Sequence, residues 1–191
     1  MILDNPTKEL PGIWRDCDHE QNRDCLEKVC GFASGSFDII HCGHSEFLRK
    51  CKDQCNVLVV MAPTDRQIAF LKPGRPITKE QDRLLLLDAI RWVDYCFLDP
   101  WARNDLTGIE EAFKLLKPAK YFCGPDSHDM GYRESICKQH GVELVVVPRY
   151  EGVTTTSIME KQNATLDERG REGHGKDRAC GVPANQGGRR S

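Results

Sequence analysis

His41 and His44 close the stretch Gly35-Ser36-Phe37-Asp38-Ile39-Ile40-His41-Cys42-Gly43-His44. Two imidazoles three residues apart on a first helical turn lie over one face, and each donates a hydrogen bond when protonated. The apolar run Val29 to Ala33 before the stretch suits a buried strand, and Ser45 to Lys52 after it reads as the polar-faced opening of a helix. The stretch is therefore a strand-to-helix corner. A helix start offers unpaired N–H groups and the positive end of the macrodipole, which together favour an anion such as phosphate. Gly43 lets the backbone approach that phosphate where a Cβ would hold it off. The same His-x-x-His spacing also suits zinc, but Cys42 would point away from both rings and no Cys-x-x-Cys pair lies nearby.

With six residue types set in ten positions, the stretch resembles the cytidylyltransferase-like nucleotidyltransferases, whose hallmark is His-x-Gly-His. A second block, Pro148-Arg149-Tyr150-Glu151-Gly152-Val153-Thr154-Thr155-Thr156, is similar to the Arg-Thr-Glu-Gly-Ile-Ser-Thr-Thr element of glycerol-, choline- and ethanolamine-phosphate cytidylyltransferases. Read without the family, it is a loop after the strand Glu143 to Val147, followed by three hydroxyls opening a short helix that ends near Lys161. That makes a second anion cradle, to which Arg149 adds a planar fork suited to phosphate oxygens. The plainer alternative is a threonine that merely caps its helix.

The resemblance covers roughly residues 29 to 161 and implies joining a nucleoside triphosphate to a phosphorylated small acceptor with release of diphosphate. It implies nucleotide contacts at Ser34, Gly35, Ser36, Phe37, Asp38, Gly43, Asp126, Arg149, Gly152, Thr154, Thr155 and Thr156. His41, His44 and Lys72 are the expected catalytic residues, and Arg83 the expected acceptor-holding residue. Asp38 is expected to orient the loop or a histidine rather than act as a base. Mg²⁺ would be carried by the nucleotide, with no metal site of the protein's own. At the fourth strand the chain departs from the family: heptose-phosphate adenylyltransferases tend to read Lys-Gly-Gly-Asp and glycerol-phosphate cytidylyltransferases Gly-Asp-Asp, whereas here it is Cys123-Gly124-Pro125-Asp126. The stretch Lys72-Pro73-Gly74-Arg75-Pro76-Ile77 leans towards the adenylyl group and Pro-Arg-x-Glu-Gly towards the cytidylyl group. CTP stands slightly ahead, with ATP acting on a heptose phosphate or flavin mononucleotide as the alternative. Protonated His41 and His44 would meet the charge that builds on the departing diphosphate, helped by Lys72 and Arg149. Relatives of this kind often pair as homodimers.

Strands expected at Val29 to Ala33, Val57 to Met61, Tyr95 to Leu98, Lys120 to Cys123 and Glu143 to Val147 alternate with amphipathic helices near Ser45 to Cys51, Glu80 to Arg91, Gly108 to Leu116, Tyr132 to His140 and Thr156 to Lys161. Such alternation predicts an α/β fold: a Rossmann-like parallel sheet with helices on both faces. Ligands of such sheets bind beyond the carboxyl ends of the strands, where both phosphate-suited turns fall. The expected division is an N-terminal extension over 1–28, with a short charged helix from Asp16 to Lys28, a nucleotidyltransferase domain over 29–162, and a disordered tail over 163–191, where glycine and mixed charge prevail.

The 191 residues suffice for one domain with a sizeable core, and the formal net charge of −2 gives no general attraction to nucleic acid or to an anionic membrane. No stretch reaches the roughly 20 apolar residues of a transmembrane helix, and the start is no signal peptide, so the expected address is cytoplasmic. Ten cysteines spread through predicted elements read as reduced packing residues. Cys51 and Cys55, four apart, suit a metal only with outside ligands. Two other classes stay open on the sequence: a nucleotide-binding module without chemistry, and a redox or zinc protein.

Overall fold

The computed structural model describes residues 1–6, 8–9, 29–101 and 106–173. Five strands, β1 (Cys30–Ser34), β2 (Val57–Ala62), β3 (Tyr95–Leu98), β4 (Lys120–Cys123) and β5 (Glu143–Val146), alternate with helices α1 (Cys42–Lys52), α2 (Asp65–Leu71), α3 (Glu80–Asp88), α4 (Thr107–Leu116), α5 (Met130–His140) and α6 (Thr155–Gly173). All strand pairs are parallel, in the order β3-β2-β1-β4-β5. This is the expected Rossmann-like α/β fold. The order reverses at β1, whose neighbours β2 and β4 lead in opposite directions, and that switch opens a crevice at the carboxyl ends of the two strands.

Alternation along the strands divides the core between the two faces of the sheet. Phe32, Val59, Met61 and Tyr121 face one way, against Ile109 and Phe113 of α4 and Ile136 of α5. Ala33, Leu58, Val60 and Phe122 face the other, against Leu48 of α1 and Leu84 and Leu87 of α3. Gly31 in β1 is dictated by packing: a Cβ there would stand 2.6 Å from both Cys55 Sγ and the Phe122 ring.

The strands fall within a residue of their expected bounds, but the helices differ more. α1 begins at Cys42, inside the histidine motif, because the His41 side chain caps it by accepting from the Gly43 N–H. α3 stops at Asp88, before the expected Arg91. α2 was not anticipated, although its signal is readable: Thr64 and Gln67 form a reciprocal capping box at its start.

The ends also depart from expectation. Ile2 bridges Cys96 in parallel, Leu3 N–H donates to the Cys96 carbonyl at 2.9 Å, and the Leu3 side chain is buried in the core. These first residues thus extend the sheet beside β3 rather than standing outside the domain. The expected helix Asp16 to Lys28 lies outside the described residues. The chain divides after Thr155 into a compact unit Met1–Thr155 and a second unit Thr156–Ser191. α6 runs to Gly173, past its expected end at Lys161 and into the expected tail, in a stretch of helix formers with no proline before Pro183. The rest of that tail lies outside the described residues. Among the described residues no helix is long and apolar enough to cross a membrane.

Leu3→Ala is expected to destabilise the protein by about 2–5 kcal/mol, the usual result of truncating a buried leucine. Urea unfolding would show it as a lowered midpoint. An unchanged midpoint would mean that the chain's start contributes nothing to the core.

Candidate active site

The corner after β1 is held in a backbone conformation that its sequence does not favour. Phe37 and Ile39 have φ of 47° and 51°, a left-handed region that costs a bulky or β-branched residue about 1–2 kcal/mol. Three anchors hold it. The Phe37 ring is buried in the core, and the Ile39 N–H donates to Thr78 Oγ1.

Asp38 is the largest anchor. Its carboxylate, 5% exposed, accepts from Arg75 Nη1 at 2.8 Å, from the Thr78 N–H at 2.9 Å and from the Ile77 N–H at 3.1 Å. Burial alone would push its pKa up, but the hydrogen bonds from Thr78, Arg75 and Ile77 outweigh it and hold the carboxyl below its ordinary range. The side chain therefore clamps the 72–78 loop onto the corner. Lys72 caps the end of α2 at the base of that loop, close enough for its charge to act on His44.

Arg83 does not hold an acceptor. It is 0% exposed, and its guanidinium donates to the carbonyls of Ser36, Pro63 and Thr78 and to the Asp65 carboxylate at 2.9 Å. These acceptors lie on the histidine corner, the turn after β2 and the 72–78 loop. Sequence reasoning saw an arginine at a helix head; burial makes it a positioning residue instead.

The imidazole rings of His41 and His44 lie tilted by 30° with centroids 4.0 Å apart, and the Phe37 ring lies 5.5 Å from that of His44. Burial lowers the pKa of both. For His44 it falls to about 4, because desolvation is reinforced by the charges of His41 and Lys72 and only partly offset by Asp38. Both rings are therefore neutral near pH 7 in the free protein. His41 Nδ1 accepts from the Gly43 N–H at 3.0 Å, so the proton of the neutral ring resides on Nε2. His44 Nδ1 is buried without a hydrogen-bond partner among the described residues. A Cβ at Gly43 would lie 2.8 Å from His41 Cε1 and 3.2 Å from the Val153 carbonyl. Gly43 is thus required by the capping ring and the facing loop as well as by any phosphate.

That facing loop is the second predicted element. Thr155 Oγ1 donates to the Asp38 carbonyl at 3.1 Å, and Lys50 Nζ reaches the Pro148 carbonyl at 3.5 Å. The first of these contacts joins residues 117 positions apart at one corner. Thr154 is half-buried beside Thr155, and the Tyr150 ring folds against Gly152. Arg149 and Asp126, expected as separate nucleotide contacts, instead form an exposed ion pair with each other. Thr156 opens the second unit and Ser34 ends β1, its Oγ 2.7 Å from the Tyr121 hydroxyl. Gly35 packs on the Phe37 ring. Sequence reasoning missed Arg75 and Thr78, whose role depends on contact with Asp38 across the fold and leaves no local signal. Cys30, Cys51, Cys96 and Cys123 are buried free thiols with raised pKa, chiefly through desolvation.

A helix start capped by histidine at the switch point of a parallel sheet, faced by a threonine-bearing loop, defines the nucleotidyltransferase class of α/β site. The model of the cytidylyltransferase-like family matches residues 32–161, and the chain belongs to that family. Among curated relatives it is 32% identical over 143 residues to the bifunctional protein HldE of Helicobacter hepaticus and 33% identical over 138 residues to that of Helicobacter pylori, in each case across 72% of this chain. It spans only 27% and 28% of the length of those two relatives. Among solved structures, the lipopolysaccharide core biosynthesis protein of Thermoplasma volcanium superposes with a TM-score of 0.53 at 25% identity, over 65% of this chain and 98% of that one. The pantoate-beta-alanine ligase of Francisella tularensis superposes with a TM-score of 0.56, over 88% of this chain and 79% of that one; at 18% identity it shares the fold alone.

Because the folded pKa of His44 lies below its unfolded value of 6.5, the unfolded chain binds more protons between pH 6.5 and about 4. Stability must therefore fall as pH is lowered through that window. Urea midpoints measured from pH 7 downwards should show this fall, and His44→Gln should flatten it. An equal fall in the variant would assign the linkage to other groups.

Proposed function

We propose that the chain transfers a nucleotidyl group from a nucleoside triphosphate to the phosphate of a small phosphorylated sugar, releasing diphosphate. The observation that carries this reading is the meeting of the histidine corner with the Thr154–Thr155 loop through the Thr155–Asp38 hydrogen bond, which sets two sets of anion-suited donors against one another. The match to the HldE relatives and the lipopolysaccharide core biosynthesis protein supports a sugar acceptor. The likeness of Lys72 to Ile77 to heptose-phosphate adenylyltransferases supports ATP as donor, with CTP as the alternative.

In the reaction an oxygen of the acceptor phosphate forms a bond to the α-phosphorus while the bond to the bridging oxygen breaks, and diphosphate departs with the electron pair. No proton need move. The protein's part is to align two anions and stabilise charge. His41 Nε2–H donates outward, Lys72 adds positive charge, and the N–H groups at the start of α1 complete the cradle. The neutral state of the imidazoles in the free protein is no obstacle, since a polyphosphate placed against them favours their charged forms and raises their pKa values.

Mg²⁺ carried by the triphosphate would neutralise charge on the phosphates. Among the described residues no three His, Cys, Asp or Glu side chains form a metal cluster, and the carboxylates of Asp38 and Asp126 are already paired with arginines.

His44→Ala should remain folded and release diphosphate more slowly by about 10²–10³, as expected on loss of one transition-state donor. The assay pairs ATP or CTP with a panel of sugar and polyol phosphates. Near-normal turnover in the variant would remove His44 from the chemistry. Nucleotide-dependent thermal protection of the wild type with no diphosphate from any pair would make the protein a binding module.

A further inference from the structure

Arg133 is a second buried arginine, and its surroundings differ in kind from those of Arg83. It lies on α5 and is 6% exposed. Nε donates to the His128 carbonyl at 2.9 Å, and Nη1 donates to the Tyr121 hydroxyl and, at 3.5 Å, to Ser34 Oγ. The guanidinium carbon stands 5.7 Å from the centre of the Tyr121 ring. All these partners are neutral. Arg83 has the Asp65 carboxylate, whereas among the described residues no carboxylate pairs with Arg133 and Nη2 has no hydrogen-bond partner. Burial lowers its pKa to about 10, so it remains charged at neutral pH. A buried cation without a counter-charge is costly, and a fold retains one readily where a ligand supplies the missing charge.

Its position says which ligand. Ser34 ends β1 and directly precedes Gly35 of the histidine corner, while Tyr121 lies on β4. The β1–β4 pair borders the switch point where ligands enter such sheets. Tyr121 belongs to the core on the α4 and α5 side of the sheet, whereas Phe37, which packs on His44, belongs to the α1 and α3 side. Arg133 and the histidines therefore flank the crevice from opposite faces. In-line displacement needs that arrangement, since the attacking and leaving oxygens stand on opposite sides of the phosphorus.

We propose that Arg133, with the Tyr121 and Ser34 hydroxyls, binds the phosphate of the acceptor, while the histidine corner takes the triphosphate. This rests on the transfer reading above and supplies the acceptor-holding cation that Arg83 does not.

The test is thermal unfolding of the full chain, titrated with inorganic phosphate at constant ionic strength and, separately, with ATP. In the wild type both should raise the midpoint. Arg133→Met should weaken the apparent phosphate affinity by at least about tenfold, the change expected on losing hydrogen bonds to a charged donor. The ATP response should be unchanged. Arg133→Lys, which keeps the charge without the fork, should fall between, and it serves if the methionine variant does not fold. A wild type that ignores phosphate, a folded Arg133→Lys whose phosphate response equals that of the wild type, or loss of the ATP response in place of the phosphate response would each overturn the assignment. Phosphate binding through Arg133 without diphosphate release from any donor and acceptor pair would support the anion site while removing the transfer reading.

Discussion

Two buried charges of opposite sign, Asp38 and Arg83, hold the loops from which everything else at the sheet edge is built. Asp38 draws the 72–78 loop against the histidine corner through Arg75 and two backbone N–H groups. Arg83 collects carbonyls from the corner, the turn after β2 and the same 72–78 loop. Loop backbone that leaves a strand into a crevice has polar groups that no ladder satisfies, and buried groups of that kind must find partners. Here one carboxylate and one guanidinium provide them. The left-handed conformations of Phe37 and Ile39 are tolerable because the surrounding contacts overdetermine them.

The histidines follow from that frame. His41 is spent as a helix cap through Nδ1, which leaves its proton on Nε2, and the His44 ring lies between those of His41 and Phe37. Such a pair is desolvated and neutral in the free protein. The free protein thus avoids holding two adjacent imidazolium ions in a half-buried site.

The two arginines show how one residue type divides its labour by partner. Arg83, satisfied by a carboxylate and three carbonyls, is part of the scaffold. Arg133, surrounded by a phenol, an alcohol and one carbonyl, keeps an unanswered charge at the crevice. The alternation of the strands puts the environments of Arg133 and the histidines on different sides of the sheet, a separation that a reaction between two phosphates requires.

Much of this protein is written locally. Strand positions follow from short apolar runs, the parallel sheet from their alternation with helices, and the anion-suited corner from ten consecutive residues, because each depends only on chain stiffness, burial and period. The capping box that starts α2 was equally legible in Thr64 and Gln67. What the tertiary structure decided is the partner of each charge. Arg83 and Arg133, each the fourth residue of its helix, look alike in sequence, and Arg149 and Asp126 look like independent ligands until they meet. Whether an ionisable side chain is scaffold, cap or binding group depends on burial and on groups distant in the chain, and those are set only when the sheet has assembled and its loops have closed over the edge.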